Sequence, residues 1–310
     1  METIVLPGRT RPVGTGWLPD RPDVRDLTSR STPVVDKLKN SSSASLRGLA
    51  DRMTTAGGGR ATNKLPATAD LRQWCSSVED QGELGSCTAN AACGIMEYYQ
   101  RRASGKYIDL SRLFLYKVTR DFLGVKGDTG AYLRSVMGAL AAFGSPPEKY
   151  WPYDVQKFDE DPPAFAFAFA QNYQALQYFR LDPAGTNGED TLAEVRSHLA
   201  AGIPAMFGFT VYESIQKPAK PGEIPFPSSK ENVLGGHAIA AVGYDDKRKV
   251  TNPGDNTTQT GAFLIRNSWG ETWGDGGYGW LPYEYVRREL ATDWWSMTQA
   301  EMFDTTAFDE

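Results

Sequence analysis

Histidine and cysteine are scarce in this chain, at two and three residues in 310. No C-x-x-C pair is present, so a zinc site would have to draw on His198, His237, the cysteines or carboxylates, and no metal is expected. Three cysteines also exclude a disulfide-dense secreted scaffold. Long apolar runs are missing: the best candidate, Ala164 to Ala170, falls far short of the roughly 18 residues a membrane helix needs, so no membrane partner is expected. The N-terminal METIVLPGRT has neither a basic n-region nor an apolar h-region. A Sec-type signal peptide is therefore not expected, and the default location is the cytoplasm. Excess positive charge is absent, and a net charge of -5 argues against nucleic acid as the main partner. What is present, 40% hydrophobic and 23% charged residues, excludes wholesale disorder and suits one large domain or two lobes.

The first 63 residues differ from the rest. They hold a single aromatic residue, Trp17, together with Pro7, Pro12, Pro19, Pro22 and Pro33 and the runs Ser41–Ser43 and Gly57–Gly59. Such composition favours an extended or loosely held segment. It carries ten Lys/Arg against six Asp/Glu, a net +4, whereas the remainder carries -9. The segment reads either as a disordered tail or as a basic arm lying on an acidic body.

The body starts near Leu65-Pro66. Helices are expected over Cys87–Arg102, behind Ser86 as N-cap, and over Ser111–Arg120 and Ala131–Phe143. Thr191-x-x-Glu194 reads as a capping box opening a helix with Leu192, Val195 and Leu199 on one face, stopped by Gly202 and Pro204. Strands are expected over Ala205–Val211, His237–Tyr244 and Ala262–Asn267. Helices first and strands second predict an α+β protein of two segregated lobes, 64–185 mainly helical and 186–310 β-rich, with a cleft between them.

Four residues carry candidate chemistry. Cys87 opens a helix, where unpaired N–H groups favour a thiolate; the alternative is a small buried hydrophobe. Gln81, six residues upstream in Asp80-Gln81-Gly82, offers an amide donor to an oxyanion or is part of an ordinary turn. His237 follows Gly235-Gly236 and is either a base or a satisfied core residue; His198 reads as a solvated surface residue. Asn267 opens Asn267-Ser268-Trp269-Gly270, which can hold an imidazole tautomer or is only a turn with a buried indole.

Order and spacing join these weak signals: 150 residues separate Cys87 from His237, and 30 separate His237 from Asn267. Gln81-Gly82-Glu83-Leu84-Gly85-Ser86-Cys87 resembles the nucleophile motif of papain-like cysteine peptidases. Gly236-His237-Ala238 with Ala241-Val242-Gly243-Tyr244 resembles their histidine motif. Asn267-Ser268-Trp269-Gly270, continuing through Trp273-Gly274 and Gly277-Tyr278-Gly279, resembles their asparagine motif. The resemblance spans roughly Leu65 to Leu281 and is similar in detail to a bacterial branch, with Leu84 and Thr88 where most extracellular members have Cys and Trp.

The resemblance implies a two-lobe fold with a helical left lobe, a β-barrel-like right lobe and an active-site cleft between them. It implies Cys87 as nucleophile, His237 as base and acid, Asn267 as orienter and Gln81 as oxyanion donor. Asp128-Thr129-Gly130 falls where the family pairs with the substrate backbone, and Gly208 and Ala238 fall near its main specificity pocket; Gly236 and Trp269 also face substrate. The implied activity is cysteine endopeptidase, with a polypeptide substrate and no cofactor. A silent binding module and an acyl-transferring ligase are the alternatives. Cys75 and Cys93 either pair or stay as free buried thiols, the latter being the default. Cys87 is expected to react below the ordinary thiol pKa. The N-terminal arm, residues 1–63, is expected to lie extended in or across the cleft as an intramolecular inhibitor, pairing with an edge such as Asp128-Thr129-Gly130.

Overall fold

Antiparallel pairing organises the chain, for which the computed structural model describes residues 2–54 and 65–302. In the arm, two short strands, β1 (Thr3–Ile4) and β2 (Val13–Gly14), pair with each other, and two helices follow, α1 (Thr32–Lys39) and α2 (Ala44–Thr54). The body opens with β3 (Thr68–Asp70) and helices α3 (Cys87–Ser104), α4 (Arg112–Leu123), α5 (Leu133–Ala142) and α6 (Ala164–Ala170). Strand β4 (Tyr173–Arg180) and helix α7 (Gly188–Ala200) lead into β5 (Ala205–Tyr212), β6 (Val233–Thr251), β7 (Thr258–Arg266) and β8 (Tyr278–Pro282). A short α8 (Glu284–Arg287) and β9 (Ala291–Met302) complete the order.

Apart from the β1-β2 pair, the strands form one sheet, β4-β9-β5-β6-β7-β8, with β3 on β6. It does not close into a barrel among the described residues. Strand β4 precedes residue 185 yet pairs with β9, so the sheet draws on both sides of that boundary. Side chains alternate across it as strand geometry requires. Phe207, Phe209, Ile239 and Ala241 enter one core, with α7; Met206, Ala238, Ala240 and Val242 enter the other, with α3, α4 and α5. Helix α3 lies close enough on the sheet that a Cβ at Gly94 would stand 2.3 Å from Arg266 Nη1. It ends at Gly105, whose φ of 78° is the left-handed C-cap that glycine accepts without strain.

Three sequence expectations change. The arm is extended only in its first part. Helices α1 and α2 bury Val34, Val35 and Leu38, and Leu49, Ala50 and Met53, in the same core as α7. Those apolar residues recur at helical spacing inside a proline- and serine-rich composition that masks them. The Gly57–Gly59 run and the 63/64 boundary lie outside the described residues. Helix α7 starts three residues before Thr191: Asn187 Oδ1 accepts the Asp190 N–H at 2.9 Å, and Glu189 and Asp190 fill the first turn, so Thr191 is internal. Strands β4, β8 and β9 form where none was expected, and β6 runs beyond its expected ends. Cys75 and Cys93 are free and buried.

Because α1 is part of a core, Leu38→Ala should lower unfolding free energy by about 2–4 kcal/mol in urea denaturation, as for other buried leucines. A change under about 0.5 kcal/mol, the surface value, would mean the helix does not dock.

Candidate active site

Cys87 is the first residue of α3, and its side chain is fully buried. Ser86 precedes it but makes no side-chain cap; its Oγ meets Tyr153 Oη at 2.5 Å and accepts from Asn90 Nδ2. The Cys87 sulfur accepts the backbone N–H of Ala238 at 3.4 Å, so the start of α3 abuts the histidine strand.

His237 lies on β6 opposite Phe209 of β5. Its Nε2 meets Asn267 Oδ1 at 2.8 Å. An amide oxygen only accepts, so Nε2 carries the proton and Nδ1 is the nitrogen left to exchange one. Nδ1 is buried and unpartnered. The Trp269 ring stacks on the imidazole at 4.4 Å, 15° from parallel, and is fully buried. It shields the Asn267 bond from water.

Gln81 is buried, and its amide is oriented from both ends. Oε1 accepts from Ser268 Oγ at 2.5 Å, while the Gln81 backbone N–H donates to Ser268 O at 2.9 Å. Nε2 therefore points away from Ser268, donating to Leu84 O at 2.8 Å and to Gly14 O at 3.1 Å. The second acceptor belongs to the arm.

Residues 13–18 thread between the nucleophile segment and β6. Gly14 N–H donates to Gly82 O at 2.8 Å, and Gly16 and Trp17 N–H donate to Gly236 O at 3.0 Å. Trp17 pairs parallel with Ala131: Ala131 N–H donates to Gly16 O at 2.9 Å and Leu18 N–H to Ala131 O at 3.1 Å. The pairing residue is thus Ala131 rather than the expected Asp128-Thr129-Gly130. Asp128 is turned inward to Gly85 N–H and Tyr116 Oη, and Tyr116 Oη accepts the Gly130 N–H. Gly208 and Gly236 face the Trp17 ring. Arg9 reaches Trp269 O and Asp80.

Burial dominates the electrostatics. It pushes the Cys87 thiol up to about 12, against the favourable N–H groups of Ala238, Gly16, Thr88 and Cys87 itself. Burial also drives His237 down to about 4, against the Asn267 bond. With the arm docked the pair is a neutral thiol and a neutral imidazole. The expectation of an acidic thiol does not hold in this state, because the helix start is here sealed from water.

His198 is not a surface residue. It is fully buried, packs against Phe179 with centroids 5.7 Å apart, and donates through Nδ1 to Glu194 O at 2.8 Å. Helix α2 lies against α7. Ser268 escaped that reading, although its place between Asn267 and Trp269 was the signal. Asp293 escaped it too; its signal was a carboxylate beside the tryptophans of Asp293-Trp294-Trp295.

The family model for papain family cysteine protease matches residues 65–292. An uncharacterized peptidase C1-like protein of Acanthamoeba polyphaga mimivirus is 35% identical over 222 residues, 70% of this chain and 68% of that protein. Chicken (Gallus gallus) cathepsin K is 26% identical over 225 residues, 70% of this chain and 59% of its own length. The crystal structure of xylellain, a cysteine protease from Xylella fastidiosa, superposes with a TM-score of 0.67 at 31% identity, covering 94% of this chain and 98% of that one.

His198→Gln should cost about 1–3 kcal/mol of stability at pH 7.5, the price of a buried hydrogen-bonded group, without changing Cys87 alkylation. Burial lowers the His198 pKa, so its neutral form is the one the fold holds. Its contribution is complete above the unfolded value of about 6.5 and falls as pH drops below it, by at most about 1.4 kcal/mol per pH unit. The gap between the two chains should therefore narrow from pH 7.5 to 5.5 in urea titrations. A constant gap would show that His198 is not held neutral.

Proposed function

The chain belongs to the papain family of cysteine proteases, and we propose that it is an endopeptidase held latent by its own residues 2–18. Cys87 serves as nucleophile, His237 as proton carrier, Asn267 as its support and Gln81 as oxyanion donor. The observation that carries this reading is the buried His237–Asn267 bond at 2.8 Å beneath Trp269, with Nδ1 open and the Cys87 sulfur against the next residue's N–H.

The chemistry follows from those positions. With a polypeptide in the cleft, the sulfur gives its proton to His237 and attacks a peptide carbonyl carbon. The carbonyl oxygen becomes an oxyanion that Gln81 Nε2 and the Cys87 backbone N–H stabilise. The C–N bond then breaks, His237 delivers its proton to the leaving amine, and a thioester remains. His237 next takes a proton from water; the hydroxide displaces the sulfur and the acid leaves. Ser268 keeps Gln81 Nε2 turned outward throughout, as its 2.5 Å bond to Oε1 supports.

Three features support latency. Gly14 O occupies the Gln81 donor. Trp17 fills the pocket beside Gly208 and Gly236. The Gly16 N–H is among the backbone groups that face the Cys87 sulfur, so the arm runs past the nucleophile itself. The arm also dries the site, keeping thiol and imidazole uncharged. Its grip on the body includes Arg134, which bonds Asp20, Asp26 and the Arg21 carbonyl.

Two outcomes are expected. Trp17→Ala should raise the rate of Cys87 alkylation at pH 7 by about tenfold or more, because withdrawal rehydrates the thiol and moves its pKa down. Equal rates for the two chains would eliminate latency. In the Trp17→Ala chain, Cys87→Ala should abolish peptide hydrolysis, and Gln81→Ala should lower kcat by roughly 10²–10³ with little change in KM. A change in KM alone would remove Gln81 from the oxyanion role.

A further inference from the structure

Asp293 is a buried carboxylate that the chemistry above leaves unused. It lies at the base of the pocket holding Trp17. A Cβ on Gly208 would stand 1.8 Å from Trp17 Cε2, and one on Gly236 3.0 Å from Cε3, so both glycines are gaps that a large flat ring fills. From the pyrrole edge of that ring, Nε1 donates to Asp293 Oδ2 at 3.1 Å.

The two carboxylate oxygens have different providers. Oδ1 is served by the body: Trp295 Nε1 donates to it at 2.7 Å, and Arg180 Nη1 lies 3.1 Å away. Arg180 is also held by Asp182 at 2.9 Å, and Asp182 in turn accepts the backbone N–H groups of Asp293 and Trp294. Arg134 stacks over the Trp295 ring at 5.6 Å. Asp293 itself has a φ of 62°, the left-handed region that few non-glycine residues adopt, and the bonds to Asp182 hold it there. Oδ2 alone receives its donor from the occupant of the pocket.

We infer that Asp293 is a specificity-determining residue, selecting an occupant with a large flat side chain that carries an N–H on its edge, namely tryptophan, in substrate as in the arm. The inference rests on the cleft reading above. Phenylalanine would fill much of the same space but leave a buried carboxylate oxygen without its donor, and a site built to hydrogen-bond its ligand rejects the analogue that lacks the group. Burial already lifts Asp293 to about 6, with Arg180, Trp295 and Trp17 opposing it.

The test uses the full chain and its Trp17→Ala variant. Fluorogenic peptides of one sequence carry a single Trp at each position in turn and are compared with Phe at the same position. The ratio of kcat/KM values on one enzyme is independent of how often the arm is docked, since docking scales both equally. One position should favour Trp over Phe by about tenfold or more. Asp293→Asn, whose side chain tolerates the left-handed backbone, should bring that ratio within about twofold. A second readout needs neither hydrolysis nor that variant. The hexapeptide of residues 13–18, with Trp or with Phe at its fifth position, competes with alkylation of Cys87 in the Trp17→Ala chain, and the Trp form should protect at about tenfold lower concentration. Hydrolysis without a Trp preference at any position, or equal protection by the two hexapeptides, overturns the role of Asp293 and leaves the peptidase reading intact. Unequal protection without any hydrolysis supports Asp293 and overturns the peptidase reading instead.

Discussion

A buried arginine holds the two halves of the site in register. Arg266, the last residue of β7, donates through Nη2 to Ser76 Oγ at 3.0 Å and to Ser77 O at 2.5 Å. Ser76 in turn bonds Glu97 of α3, whose other oxygen accepts the Leu110 N–H at 3.0 Å. Burial raises Glu97 to about 7, and the charge of Arg266 is the first influence opposing that rise. Gly94, one turn before Glu97, leaves the space the guanidinium occupies. Cys87 is seven residues earlier on the same helix, roughly 10 Å along its axis, and Asn267 follows Arg266 directly. Helix and strand therefore cannot slide without separating nucleophile from amide. Removing one partner of such a network leaves an uncompensated buried charge, which costs far more than the intact pair contributes.

That rigid frame makes the site sensitive to water. The nucleophile is at a helix start, where a thiolate is favoured, yet a sealed site reverses the preference because desolvation outweighs the few N–H groups aimed at the sulfur. The same polypeptide that blocks the cleft therefore also changes the protonation state of its contents. In the proposed latent state, steric exclusion and electrostatic silencing are two consequences of one contact surface, that of residues 13–18.

The juxtaposition of Cys87, His237, Asn267 and Gln81 was legible in the sequence because its parts are bound to backbone features with short signatures. Cys87 needs a helix start, His237 a strand opened by glycines, and Asn267 a strand end followed by Trp269; each leaves a local pattern. Residues that depend on distant packing were not legible. His198 has a polar side chain on a helix with a good apolar stripe, and packing from distant elements, Phe179 of β4 among them, buries it. Helices α1 and α2 were hidden by composition, since Pro33 and the serines around Ala44 start helices as readily as they end them. Strand β9 was obscured by aromatic crowding in Trp294-Trp295, and with it Asp293, whose role exists only where Trp17 meets it from 276 positions away. Ala131 replaced the expected Asp128-Thr129-Gly130 edge because Asp128 is consumed by Gly85 and Tyr116, contacts with no local signature.

The arm's composition makes sense once it is divided. Residues 32–54 are anchored by apolar burial in the core they share with α7. Residues 13–18 bind the cleft through backbone groups. At Gly16 a Cβ would stand 2.0 Å from Gly85 O, and at Gly14 one would stand 2.5 Å from Glu83 O and Leu84 O. The chain at the sulfur is therefore about as narrow as a polypeptide can be, and Trp17 inserts its ring beside Gly208 and Gly236. Such a segment binds weakly as a free peptide, because few contacts offset the entropy of ordering it. Tethered to anchored helices it is present at an effective concentration near millimolar, and weak contacts suffice. The anchor also sets the reverse step. On the proposed latency, a cleft segment that departs while α1 and α2 stay docked recloses the site by an intramolecular event unless substrate occupies it or the link between residues 18 and 32 is cut. Occupancy of the Trp17 pocket is then the point of competition between arm and substrate, and the side chain that fills it decides which of them the site holds.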